Sequence, residues 1–109
     1  SSTMAEWAYI YKIYNPYEDK CYVGSTTTTM QQRIKEHNQD PVKKMRHLRR
    51  KIKSLPCEVL EYGFYDSNLH ILEQEDKYII QYDAIKQGYN SKLNTSQKQS
   101  KKHAIDFRK

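Results

Sequence analysis

YIYKIYNPYEDKCYVG, residues 9–24, decides how the chain is read. Trp7, Tyr9, Tyr11 and Ile13 alternate with Ala8, Ile10, Lys12 and Tyr14, a period of two that places each set on its own face of a β-strand. Asn15-Pro16-Tyr17-Glu18-Asp19-Lys20 is turn chemistry, and Cys21-Tyr22-Val23-Gly24 resumes in extended, β-branched and aromatic residues. The stretch is therefore a hairpin. It brings Tyr11 and Tyr22 onto neighbouring strands, where two phenols can face one pocket.

Downstream, Thr29 followed by Gln32 fits a capping box, so a helix is expected from about Met30. Met30, Ile34 and either His37 or Asn38 would form its inner face, and Arg33 and His37, four apart, would share one side. The threonines at 26–29 read either as a loop with good capping chemistry or as hydroxyls suited to a phosphate at a helix N-terminus. Asp40-Pro41 then opens a second helix, with Val42, Met45, Leu48 and Ile52 at helical spacing. Its outer side carries Lys43, Lys44, Arg46, Arg49, Arg50, Lys51 and Lys53 and reads as a nucleic-acid backbone contact. A membrane-surface helix competes, but its narrow apolar stripe is needed by the core.

Leu55-Pro56 ends that helix. Cys57 to Phe64 has the composition of a third strand, with Leu60, Tyr62 and Phe64 in one phase and Cys57 and Val59 in the other. Asp66-Ser67-Asn68 caps a longer helix from about Leu69 to Ile85, expected to turn Leu69, Leu72, Ile79 and Ile80 toward the sheet, with Gly88 as its C-cap. The expected fold is α/β: a small, three-stranded, mainly antiparallel sheet flanked by helices. Residues 4–90 form the domain, and the polar, basic residues 91–109 form a partly mobile tail. Ser1-Ser2-Thr3 ahead of Met4 is read as a cloning remnant.

Charge narrows the partners. The net charge of +6 is unevenly spread: nine Lys/Arg face only Glu36 and Asp40 between Arg33 and Lys53. Six more face only Asp106 from Ser91 onward. Such a footprint fits a polyanion, most commonly nucleic acid. The chain's 109 residues suffice for one modest core, in which ten tyrosines supply much of the buried surface. Cys21 and Cys57, with no nearby Cys/His pairing, argue against a zinc cluster or a disulfide scaffold and for a reducing, intracellular setting. No apolar run approaches a membrane span, and no signal peptide is visible.

Five spaced matches make residues 9–90 resemble the GIY-YIG nuclease family. Tyr9-Ile10-Tyr11 stands at its first triplet and Tyr22-Val23-Gly24-Ser25 at its second. Arg33 and His37 match its helix arginine and the histidine one turn later. Leu72-Glu73-Gln74-Glu75-Asp76-Lys77-Tyr78-Ile79 resembles the segment bearing the metal-binding glutamate, and the aliphatic position four residues on selects Glu75 over Glu73. Gly88-Tyr89-Asn90 resembles the closing motif. No single match carries the resemblance; five in order do. One departure stands out: the family's leading glycine is Tyr9, whose ring is expected to point outward or fill a space.

The resemblance implies a metal-dependent DNA endonuclease of homing, repair or restriction type, making one strand cut per active site. Tyr11 and Tyr22 would position or deprotonate water, aided by positive charge from Lys12, Arg33, His37 or the metal, because a free phenol is a poor base at pH 7. Arg33 would offer a fork of donors to the scissile phosphate, and His37 is an alternative proton relay. Glu75 would hold Mg2+, with Mn2+ as a substitute, and Asn90 would orient the site. Lys12, Lys35, Lys43, Lys44, Arg46, Arg49, Arg50 and Lys53 are the expected nucleic-acid contacts. The alternative is a catalytically inactive DNA- or RNA-binding module that retains the fold. A targeting domain or protein partner, and a monomer or transient dimer, complete the expectations.

Overall fold

The computed structural model describes residues 5–95, so residues 1–4, the cloning-remnant reading, and residues 96–109 of the basic tail lie outside it. Three strands, β1 (Glu6–Tyr14), β2 (Cys21–Thr26) and β3 (Cys57–Tyr65), form one sheet in the order β2-β1-β3. Both pairings are antiparallel. The aromatic and β-branched alternation predicts this central strand. β1 buries Ala8 and Ile10 on one face and Tyr11 and Ile13 on the other.

Each face has its own cover. On the first, α2 (Asn68–Gln81) sets Ile71 and Ile79 against Ala8, Ile10, Cys21 and Val23. On the second, Tyr11 and Ile13 pack with Met45, Leu48, Leu55 and Tyr89, joined by Met30 of α1 (Met30–Gln39). Burying each Ile, Val or Leu in these layers contributes roughly 1.5–3 kcal/mol.

α1 begins where its cap dictates: Thr29 Oγ1 accepts from the Gln32 backbone N–H at 3.1 Å. The Gln32 side chain does not close the box but donates to Glu36 one turn on, at 3.1 Å. The expected second α-helix is instead a 3-10 helix over Lys43–Arg50. Arg49 explains its early end. Its guanidinium donates to the backbone carbonyls of Asn38, Ile52 and Lys53, pulling the chain back across α1.

β3 carries an irregularity that alternation alone hides. Trp7 pairs with Phe64 and Tyr9 with Tyr62, but Tyr11 pairs with Val59 and Ile13 with Cys57. Leu60 is the extra residue of a bulge. Tyr62 and Phe64 therefore share the Tyr11 face with Val59 and Cys57, residues that strict alternation puts in the other phase.

α2 is also rotated from expectation. Ile71, Glu75, Asp76 and Ile79 are its buried residues, whereas Leu69 and Ile80 are exposed. It ends at Gln81, before Asp83 in the left-handed region (φ 50°), rather than at Gly88. Gly88 answers a different need: a Cβ there would lie 2.5 Å from the Cys21 carbonyl oxygen. That close approach lets the Tyr89 N–H donate to the Cys21 carbonyl at 2.9 Å, so residues 88–90 cover the open edge of β2. Residues 91–95, assigned by the sequence to a tail, pack on the domain: Leu93 joins the α2-side core, and Asn94 and Thr95 bond to α2.

Candidate active site

Tyr11 and Tyr22 share a face but are not directly opposite. Tyr11 faces Gly24, and Tyr22 faces Ile13, one diagonal step along. Gly24 makes their approach possible, because a Cβ there would lie 2.6 Å from Tyr11 Oη, 2.8 Å from its Cζ and 3.1 Å from Tyr22 Cε2. α1 lowers His37 onto the pair. Tyr11 Oη and His37 Nε2 are 2.8 Å apart, and the His37 ring lies 5.7 Å from that of Tyr22, centre to centre.

Arg33, one turn before His37, completes the wall. One guanidinium nitrogen donates to Thr26 Oγ1 at 3.2 Å, and another lies 3.6 Å from the Glu36 carboxylate. Its Nε is buried and has no hydrogen-bond partner. The side chain as a whole stays 32% exposed and keeps its positive charge within electrostatic reach of both phenols and of Glu75.

Glu75 arrives from the other side of the sheet. α2 covers the opposite face, yet β2 is an edge strand, and the Glu75 carboxylate meets it at Ser25. Ser25 Oγ donates to Glu75 Oε2 at 2.5 Å, and Asn94 Nδ2 donates to Oε1 at 2.7 Å. The same carboxylate is electrostatically coupled to Arg33, Tyr11 and Tyr22 around that edge. Burial raises the Glu75 pKa, opposed by the two donors and Arg33.

The phenols behave contrary to the expectation of an activated base. Burial dominates and pushes both upward, while Arg33 only partly counters it. Burial and the Arg33 charge together lower the pKa of His37, so its imidazole is neutral near pH 7. With the proton on Nδ1, its Nε2 is then an acceptor for Tyr11 Oη.

The remaining expected residues divide. Asn90 makes its side-chain hydrogen bonds to the backbone of β2 and not to the phenols. Its Oδ1 accepts from the Val23 N–H at 2.8 Å and its Nδ2 donates to the Val23 carbonyl at 2.9 Å, clamping the strand that carries Tyr22 and Gly24. Lys12 is not part of this wall: on the opposite face, its ammonium lies 3.6 Å from Glu58 and 4.5 Å above the Tyr82 ring. It therefore does not serve the phenols. Arg49 is spent on carbonyls. Lys35, Lys43, Lys44, Arg46, Arg50 and Lys53 are exposed, and the 3-10 helix bearing Lys43, Lys44, Arg46 and Arg50 covers the Tyr11 face.

Ser25 and Asn94 were missed. Ser25 directly follows the second triplet, so its position was a signal. Asn94 had none, lying in the stretch read as tail. Asp76, fully buried, anchors that stretch by accepting from the Asn94 and Thr95 backbone N–H groups and from both side chains.

The family profile described as the GIY-YIG catalytic domain matches residues 7–90, the span that holds Tyr11, Tyr22, Arg33, His37, Glu75 and Asn90. The chain belongs to the GIY-YIG family. The domain marks an endonuclease-type hydrolase, with DNA as the implied substrate. No curated relative and no solved structure matched the chain. No described helix is long and apolar enough to cross a membrane.

Proposed function

We propose that this GIY-YIG domain is a Mg2+-dependent endonuclease that hydrolyses DNA phosphodiester bonds, one strand per active site, with Mn2+ as a substitute metal. The observation that carries the proposal is the hydrogen-bonded Tyr11–His37 pair, with Arg33 and the Ser25-bound Glu75 carboxylate both in electrostatic reach of Tyr11.

The donor set fits a hard divalent cation. Among the described residues no three His, Cys, Asp or Glu side chains gather to hold a metal. Glu75 thus stands as a single carboxylate, and each of its oxygens keeps a free lone pair beyond the bonds from Ser25 and Asn94. A one-carboxylate site would suit Mg2+, which gives up its hydration water reluctantly and needs few protein ligands. When bound, the ion would polarise the phosphate and neutralise charge that develops on it.

The chain's own groups do the rest. Arg33, whose side chain is partly exposed, offsets charge that develops on the phosphate in the transition state. Tyr11 fixes the attacking water and passes its own proton to His37 Nε2 as it takes one from that water, which avoids a free phenolate. Neutral His37 is the proton's destination, and relays of this kind contribute about 10²–10⁴-fold. Tyr22 lies against the His37 ring on the same face of the sheet and restricts where water can stand. Exposed Lys35, Lys43, Lys44, Arg46, Arg50 and Lys53 hold the DNA backbone. Two free cysteines accord with an intracellular setting.

The test is nicking of supercoiled plasmid with Mg2+, Mn2+ or chelator, by the native chain and by Glu75→Ala. Metal-dependent nicking lost in the variant, with duplex affinity kept, is the expected result. Unchanged cutting by the variant would reject the metal assignment. Binding without nicking by the native chain would replace the enzyme with the inactive binding module.

A further inference from the structure

The face of the sheet that carries Tyr11 is only half covered. α1 and the 3-10 helix roof Tyr11 and Ile13, and beyond them no element among the described residues covers the sheet. Four rings occupy the bare half. Trp7 and Tyr9 on β1 stand opposite Phe64 and Tyr62 on β3. Tyr62 is 65% exposed, Phe64 71% and Trp7 39%. They touch one another: the Trp7 ring lies 5.1 Å from Phe64, 5.8 Å from Tyr62 and 6.0 Å from Tyr9, centre to centre. Tyr9 and Tyr62 are 6.3 Å apart.

The Leu60 bulge builds this cluster, since it brings Tyr62 and Phe64 into phase with Val59 and Cys57. Tyr9 completes it, in the position where the GIY-YIG signature has glycine. Four large rings of which three stay substantially in water form an exposed patch that folding does not account for.

Continuity with the site says what covers it. Tyr9 precedes Tyr11 by two residues on the same face, about 7 Å along the strand, and Trp7 lies a further ~7 Å out. The basic 3-10 helix roofs the other half of that same face. A strand whose phosphate sits against Arg33 and whose backbone meets those lysines and arginines would continue over the rings. Aromatic rather than aliphatic make-up matches a base, because every nucleobase offers a π-face. In a duplex those faces are already stacked on their neighbours.

We infer that Trp7, Tyr9, Tyr62 and Phe64 form a stacking platform for unpaired bases of a DNA strand next to the cleaved phosphate. The preferred substrate is then DNA with a single-stranded arm, such as a flap, overhang or fork, rather than an uninterrupted duplex. This inference rests on the nuclease reading for the direction of the strand, but not for the platform's capacity to stack bases.

Trp7 is the chain's one tryptophan, so its fluorescence reports the platform alone. The experiment titrates oligodeoxythymidylate, a blunt duplex, and the same duplex with a single-stranded overhang into the native chain in chelator. Metal-dependent cleavage of both duplexes is measured in parallel. Trp7 emission should fall with oligodeoxythymidylate and with the overhang duplex, and stay level with the blunt one. In Tyr62→Ala/Phe64→Ala, two exposed substitutions, the preference for overhang over blunt duplex should drop by roughly 5- to 150-fold for each base stack removed.

Constant Trp7 emission at saturating single strand would overturn the platform. So would an equal affinity loss for both duplexes in the double variant. A dimer of the native chain that separates in the double variant would also overturn it, by showing the patch to be an interface between copies. Quenching without cleavage leaves the platform standing and rejects the nuclease reading; cleavage without quenching does the reverse.

Discussion

Replacing Gly24 by Ala tests the core of the site with a single methyl group. The added Cβ would lie 2.6 Å from Tyr11 Oη and 2.8 Å from Cζ, well inside any tolerated contact. Tyr11 is 1% exposed and walled by Ile13, Met45 and Leu48, so its ring has little room to retreat. Overpacking of this kind costs about 1–3 kcal/mol. Against it, removing a glycine from a strand returns roughly 0.5–1 kcal/mol through the unfolded chain. The two nearly cancel at the low end and leave a loss of about 2 kcal/mol at the high end. Stability is therefore a weak reporter, and catalysis is the strong one. Relieving the clash requires the phenol to shift by tenths of an ångström or more, away from a bond now 2.8 Å long to His37 Nε2. Misplacement on the scale of 1 Å costs on the order of 100-fold. Gly24→Ala should thus lower kcat about 10- to 100-fold under saturating Mg2+ while its affinity for the same DNA changes less than threefold. Single-turnover nicking and fluorescence anisotropy measure the two quantities. A kcat within threefold of the native value, in a variant that unfolds at an unchanged denaturant midpoint, would refute the idea that Gly24 exists to admit the Tyr11 hydroxyl.

Asn94→Ala should raise the Mg2+ concentration for half-maximal cleavage by about 10- to 100-fold, because Glu75 loses the donor that aims Oε1; an unmoved metal midpoint would remove Asn94 from the site. His37 has its pKa lowered, so the fold favours the neutral ring and the relay needs it neutral. Cleavage should fall on the acid side with an apparent pKa below 6.5, and a limb centred above 6.5 would contradict the assignment. Stability linked to His37 is complete above pH 6.5 and declines below it, as the unfolded chain takes up the proton first. His37→Gln should lose about 10²–10⁴-fold at pH 7 and keep DNA binding. Asn90→Ala leaves both Val23 backbone groups unpaired inside the protein and should cost about 2–4 kcal/mol, seen as a lower urea midpoint at constant slope.

What the sequence settled by itself was local and periodic. Period-two alternation through residues 7–14 and turn residues at 15–20 specify the hairpin, because side-chain direction in a strand depends only on parity. Thr29 announced the start of α1, since a cap bonds within one turn of itself. The five motif positions were likewise legible as a pattern of spacings. Other features needed the tertiary structure, because each depends on partners distant in the chain. Leu60 reads as an ordinary strand residue until β1 sets the register, and only then do Tyr62 and Phe64 join Trp7 and Tyr9. α2 has apolar residues on several sides, so the sheet, and not its periodicity, chose Ile71, Glu75 and Ile79 as the buried line. Arg49 looked like one more surface cation until three carbonyls converged on it. The pKa directions are the clearest case. Side-chain type supplies each starting value, but burial of Tyr11, Tyr22 and His37 in one wall decides which of them can hold the proton, and burial is a property of the packed protein alone.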